Sequence, residues 1–165
     1  MKSLIRKILR FFCTFVARRQ VASMGRGVCV NFPCKFTAHT IIGNNCHFNG
    51  MKISGTGNVK IGNNFHSGKS IRILTSYHNY DTGGALPYDD TWVTRNVIID
   101  DNVWLGEHVM ILSGVHIGEG TVIQAGSVVV HDIPPCSIAG GHPAKVFKRR
   151  DLMHYYDLKQ KGLYF

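Results

Sequence analysis

From Ile99 to Ile133 an aliphatic residue recurs every six positions. Ile99, Leu105, Ile111, Ile117, Ile123 and Val129 lead six successive hexads. Small or β-branched residues hold the fifth place of each: Val103, Val109, Val115, Thr121, Ser127 and Ile133. A period of six fits neither the face of a helix nor the alternation of a half-buried strand. It fits a parallel β-helix, in which each hexad forms one flat side of a coil and the leading residues stack in a column. Three hexads close a triangular coil, and stacked coils bury the columns.

An earlier run agrees. Val30, Phe36, Ile42 and Phe48 are six apart, with Cys34, Thr40 and Cys46 in the companion place. The register slips by one residue between Phe48 and Gly55, then resumes with Ile61, Ser67 and Ile73. Val59, Phe65, Ile71 and Tyr77 take the companion slots there. Gly and Asn follow several leading positions, as corners with positive φ require. The five cysteines form no CxxC pair, and Cys34 and Cys46 sit at repeat positions, so they read as small buried hydrophobes in a reducing compartment.

The formal charge of +9 is concentrated at the ends. Residues 1–19 carry Lys2, Arg6, Lys7, Arg10, Arg18 and Arg19 and no acid. Residues 20–144 nearly balance, and residues 145–165 are again basic. A body without a basic stripe argues against nucleic acid as a partner. Leu4, Ile5, Ile8, Phe11, Phe12, Phe15 and Val16 recur at helical spacing among the N-terminal cations. Two uses of such a helix are open: lying on an anionic membrane surface, or capping the open end of the coil. Its apolar run is too short to span a bilayer, and Arg10 interrupts it where a signal peptide would be continuous. The expected location is cytoplasmic, with peripheral contact at the inner membrane face if the first use holds.

The repeat halts after Ile73 and restarts at Val93. The intervening segment is rich in His, Tyr, Asp and Trp, and residues 79–92 are expected to leave the coil as a loop. Loops on rigid scaffolds are where function concentrates. His78 stands where coil gives way to loop, and imidazole is the usual general base near neutral pH. Tyr77, Asn79, Tyr80, Asp81, Asp89, Asp90 and Trp92 around it suit a carbohydrate, offering ring faces and polar groups. His39, His47, His66, His116 and His154 are read as structural, and so is His108 beyond the Trp104-Leu105-Gly106 turn.

Asp101-Asn102-Val103-Trp104-Leu105-Gly106 resembles the D-N-V-W-I-G signature of hexapeptide-repeat acyltransferases. Gln124-Ala125-Gly126-Ser127-Val128-Val129 and Asp132-Ile133-Pro134-Pro135 resemble that family's terminal coil, and Gly140-Gly141-His142-Pro143-Ala144-Lys145-Val146 its closing G-G-N-P-A-K-V motif. The resemblance spans about residues 28–150 and is nearest the maltose, galactoside and nodulation-factor acetyltransferases and the polysaccharide O-acetyltransferases. It implies a left-handed coil, against the usual crossover hand, a homotrimer with sites between subunits, and acetyl-CoA as donor without a metal. It puts the catalytic histidine on His78 and acetyl-CoA contacts on Trp104, Gly106, Glu107, Ala125, Val130, His131, Lys145 and Lys148. Asn49 falls on an acceptor-contacting asparagine. Glu107 stands where the family has a small or hydroxyl residue, Val130 replaces Thr and His131 replaces Lys.

The expected fold is therefore an all-β, left-handed parallel β-helix with an N-terminal amphipathic helix and a short C-terminal helix. Its segments are 1–23 (basic helix), 24–144 (coil with loop 79–92) and 145–165 (basic tail and helix). The expected reaction is transfer of an acetyl group to a hydroxyl of a small sugar or envelope glycan. His78 acts as base, and backbone N–H groups at the Gly106-Glu107 turn meet the oxyanion. Two alternatives share the fold: a non-catalytic scaffold, and a zinc carbonic anhydrase-like protein drawing on His78, His108 and His116.

Overall fold

The computed structural model describes residues 2–165, with side chains from Leu4 onward. Lys2, counted above among the N-terminal cations, has its side chain outside the described residues. The chain winds as a left-handed parallel β-helix with three faces. Face I stacks Ser23–Met24, Thr40–Ile42, Val59–Ile61, Val97–Ile99 and His116–Ile117. Face II stacks Cys29–Val30, His47–Phe48, His66–Ser67, Trp104–Leu105, Val122–Ile123 and Ser137–Gly141, and Ala144–Arg149 closes it antiparallel. Face III stacks Met51–Ser54, Ile71–Leu74, Met110–Ile111 and Val128–Val129.

The six-residue period becomes structure because one hexad spans one face and one corner. Ile99 lies beside Ile117, Leu105 beside Ile123 and Ile111 beside Val129, so each leading residue lands on the one a coil earlier. All six are fully buried. The interior is a set of like-on-like columns: the rings of Phe36, Phe48 and Phe65 meet at 5.3 Å centroid spacings. Cys46 is buried, Cys34 is half-buried, and burial pushes both thiols up to about 11.

The slip after Phe48 has a local cause. Face III is reached early, at Met51 and Ile53, and the corner at 55–58 takes up the extra residues before Val59. The restart expected at Val93 is overturned. Trp92–Thr94 pairs antiparallel with Ser76–His78, as the base of a hairpin, and the coil resumes at Val97. Tyr77 therefore belongs to the hairpin, opposite Val93, and not to the coil interior. The basic segment expected as a tail begins as the strand Ala144–Arg149 and reaches helix only at Leu152–Gln160.

The corner between faces I and II carries a column of left-handed residues. Asn45, Asn64 and Asn102 have φ of 54°, 54° and 61°, and Gly27 and Gly120 continue the column at its ends. The amides form a ladder, with Asn45 Nδ2 donating to Asn64 Oδ1 (3.3 Å) and Asn64 Nδ2 to Asn102 Oδ1 (2.8 Å). Asn tolerates this conformation because its short polar side chain bonds locally. Glu119 then fastens the C-terminal helix, accepting from Tyr155 Oη (2.8 Å) and Lys159 Nζ (2.5 Å).

The N-terminal helix Lys2–Arg18 caps the first coil. Cys13 and Ala17 are buried there, and Thr14 Oγ1 accepts from the Val30 N–H (3.0 Å). The capping use left open by the sequence is met by this face of the helix.

Asn64→Ala keeps the positive φ but loses the side-chain hydrogen bonds, and should destabilise the fold by about 1–3 kcal/mol. Asn64→Gly loses the same bonds without the steric strain and should cost less. Urea denaturation of the two variants measures the difference.

Candidate active site

The loop leaves at the corner between faces III and I. Its base is the short hairpin of Ser76–His78 with Trp92–Thr94, in which His78 pairs with Trp92. The His78 imidazole lies between two aromatic rings, stacked on Tyr88 (3.9 Å, 16°) and tilted against Trp92 (3.9 Å, 36°). Nδ1 is buried without a hydrogen-bond partner, whereas Nε2 is not buried with it. A ring held between aromatic planes is fixed in direction, and its open nitrogen faces away from the packing.

Asp89 holds the loop in this shape. Its Oδ2 accepts from the Gly84 N–H (2.6 Å), and its Oδ1 accepts from the Thr91 N–H (2.9 Å) and hydroxyl (2.5 Å). These bonds, the Thr91 hydroxyl first, hold the carboxyl down to about 2. Asn79 is used in the same way, with Oδ1 accepting from the Thr82 N–H and Nδ2 donating to Thr91 Oγ1. Tyr77 is half-buried against the Tyr80 ring, whereas Asp81 and Trp92 are exposed. Tyr88 was not singled out in the sequence, and Asp89, read there as a carbohydrate contact, braces the loop instead. The Asp89-x-Thr91 spacing, a carboxylate two residues before a hydroxyl and its N–H, was the available signal for a braced turn.

The expected acetyl-CoA residues divide into two groups. Gly106, Glu107 and Ala125 stack at the corner between faces II and III. A Cβ on Gly106 would stand 2.5 Å from the Ala125 nitrogen, so only glycine permits this approach. Lys145 joins that edge through Gly140, its antiparallel partner, and Lys148 lies opposite Ile138 on face II. Trp104 projects from face II, 54% exposed, into a cavity of about 400 Å³ beneath the C-terminal helix, with His66, Leu158 and Tyr164. Val130 and His131 follow face III and lie at the III/I corner, on the loop's side. Asn49 lies at the II/III corner, away from the loop, and its Nδ2 donates to the Ser67 carbonyl (2.6 Å).

One expected role changes. The Gly106 N–H donates to the Ile123 carbonyl (2.8 Å) within the coil ladder, so it cannot also meet an oxyanion. Only the Glu107 N–H remains available at that turn. Glu107 itself packs over the preceding coil, with its Cγ against Gly68. His78, His108 and His116 stand at the III/I corner, the II/III corner and face I. Among the described residues no three His, Cys, Asp or Glu side chains converge on one point.

A family model of the bacterial transferase hexapeptide, six repeats long, matches residues 96–131. The chain carries hexapeptide repeats and is similar in fold to hexapeptide-repeat acetyltransferases. A hexapeptide-repeat acetyltransferase of Vibrio cholerae superposes with a TM-score of 0.74 at 29% identity, over 82% of this chain and 78% of that one. Its acetyl-CoA complex superposes almost as closely, with a TM-score of 0.73. A galactoside acetyltransferase in complex with coenzyme A gives a TM-score of 0.73 at 29% identity, over 82% of this chain and 68% of the other. A maltose O-acetyltransferase of Clostridium difficile 630 gives 0.58 at 25% identity, covering 89% of each chain. No curated protein sequence matches the chain.

Asp89→Ala should loosen the loop around His78 and leave the coil's melting temperature unchanged. Trp92 fluorescence in a Trp104→Phe background reads the loop, and circular dichroism reads the coil. The Asp89 carboxyl is depressed below its ordinary value near 3.9. Its bracing is therefore fully present above about pH 4 and is lost as the pH falls through about 2. The same fluorescence signal should hold steady down to about pH 4 and change below it.

Proposed function

We propose that the protein is an acetyl-CoA-dependent O-acetyltransferase acting on a hydroxyl of a sugar or glycan, with His78 as general base and its sites between the subunits of a homotrimer. The coarser activity rests on the acetyltransferase relatives. The finer reading is carried by one observation. Gly106, Glu107 and Ala125, suited to the donor, lie along the II/III edge, the histidine stands at the III/I edge with Val130 and His131, and face III separates the two edges within one chain. The halves meet when the III/I edge of one subunit faces the II/III edge of the next, and three such heterologous contacts close a trimeric ring.

His78 then works through Nε2, which accepts the proton of the acceptor hydroxyl. The oxygen lone pair attacks the carbonyl carbon of the thioester. The Glu107 N–H offers a donor to the oxyanion. As the carbon–sulfur bond breaks, the thiolate leaves with its electron pair and takes the proton back from His78, so the histidine ends unchanged. For Nε2 to be the base, Nδ1 carries the proton, and the acceptor for that buried N–H comes from the assembled site. Lys145 and Lys148, exposed on the closing strand, supply charge for the coenzyme's phosphates, while Arg149 and Arg150 follow without a family counterpart. Asp81 and Trp92, exposed on the loop, supply a polar group and a ring face to the sugar, with Asn49 contributed from across the interface.

Coenzyme A release from acetyl-CoA against a panel of sugars and glycan fragments tests the proposal. Acceptor-dependent release should fall by about 10²–10⁴-fold in His78→Ala, with acetyl-CoA binding retained. Release that survives in the variant, or an acetylated enzyme accumulating without acceptor, would refute the direct-transfer scheme. A monomer in light scattering with full activity would refute the shared site.

A further inference from the structure

The N-terminal helix presents two faces that do different work. Cys13, Thr14 and Ala17 seat it on the first coil, and Gln20, just beyond it, accepts the Phe36 N–H through Oε1 (2.8 Å). At about 100° per residue, Leu4, Ile5, Ile8, Phe11, Phe12 and Phe15 fall on the opposite side, pointing away from the body. They are exposed there: Ile8 by 60%, Phe11 by 77% and Phe12 by 63%. An amphipathic helix normally turns its apolar stripe toward the core it packs on. This one turns it outward, and a contiguous exposed patch of aromatic and aliphatic side chains marks an interaction surface.

Charge identifies the occupant. The first 80 residues contain no Asp or Glu, and all ten acidic residues lie from Asp81 onward. Because coils stack in chain order, this asymmetry is spatial, and the helix and first coils form a wholly cationic end. Face III there stacks Lys35 beside Lys52 and Lys52 beside Arg72, all exposed. Like charges in register destabilise a sheet, so fold stability does not account for this column. On the helix, Lys7 and Arg18 flank the apolar stripe, and the Arg19 guanidinium lies over the Phe15 ring (4.0 Å). A second copy of the same surface would bring these cations against their like, which disfavours self-pairing. No described helix is long and apolar enough to cross a membrane.

We propose that the helix Lys2–Arg18 seats the protein on an anionic lipid bilayer, lying in the plane of the surface with its apolar face at the acyl boundary and the acid-free end of the coil toward the headgroups. The docked body then stands with its first coils nearest the membrane. This goes beyond the acetyl-transfer reading and is tested without donor or acceptor.

The test is flotation of the full chain with vesicles of phosphatidylcholine alone and with about one-third phosphatidylglycerol. Ile8→Glu/Phe12→Glu is the variant, since both side chains are exposed and removed from the capping face. The wild type should float with the anionic vesicles and not with neutral ones. Raising NaCl from about 0.1 to about 0.5 M should weaken binding, because the Debye length shortens. The variant should lose flotation while its melting temperature and its mass by light scattering stay those of the wild type. Wild-type protein that fails to float with anionic vesicles, or a variant that floats equally well, overturns the proposal. A variant whose oligomeric mass changes also overturns it and assigns the apolar face to a contact between subunits.

Discussion

Each coil gives its backbone N–H groups to the carbonyls of the neighbouring coil, and everything else in the molecule is arranged around keeping that ladder in register. Parallel neighbours one coil apart must have matching lengths, or the inward column of one coil turns outward in the next. Between Val97 and Val129 the repeat keeps to eighteen residues per coil, and Ile99, Leu105 and Ile111 meet Ile117, Ile123 and Val129. Where the count changes, the difference is absorbed at corners, where backbone leaves the ladder without disturbing the faces. The five-residue approach to Ile53 and the whole hairpin of residues 76–94 are both accommodated this way.

The ladder also constrains chemistry. A backbone N–H used between coils is not available to a ligand, which removes Gly106 from the oxyanion role that its motif suggested. The close approach at Gly106 and Ala125 leaves no room for a side chain at position 106. The histidine loop escapes the constraint by leaving the coil altogether, and it must then supply its own internal support. Asp89 and Asn79 provide that support through short polar bonds, and Tyr88 and Trp92 fix the imidazole by stacking. The loop is thus a preorganised unit on a rigid frame.

Stacking in chain order also turns sequence composition into spatial polarity. The body between residues 20 and 144 is nearly neutral as a sum, yet its cations lie mostly in the early coils and its acids in the later ones. A balance taken over the whole body hid this separation. The lysines and arginine of face III become a column only because parallel pairing sets Lys35, Lys52 and Arg72 side by side.

The coil is legible from the chain's local pattern alone. A six-residue period with alternating inward positions has one packed solution, and the interior columns, the corner asparagines and the departure of a loop after His78 were all legible as local pattern. The closing motifs likewise marked the end of the coil. Tertiary structure decided what depends on which edge a residue reaches. Val93 was assigned to the coil by spacing and belongs to the loop hairpin, because antiparallel pairing with Tyr77 competes with the repeat. Asn49 and His78 were candidates for one site and stand on different corners, since position along a hexad is local whereas corner identity depends on accumulated slips. The N-terminal helix shows the same division. Its amphipathic spacing was plain in the sequence, but only packing could show that the face against the coil is the narrow one with Cys13 and Ala17, leaving the broad apolar face outward.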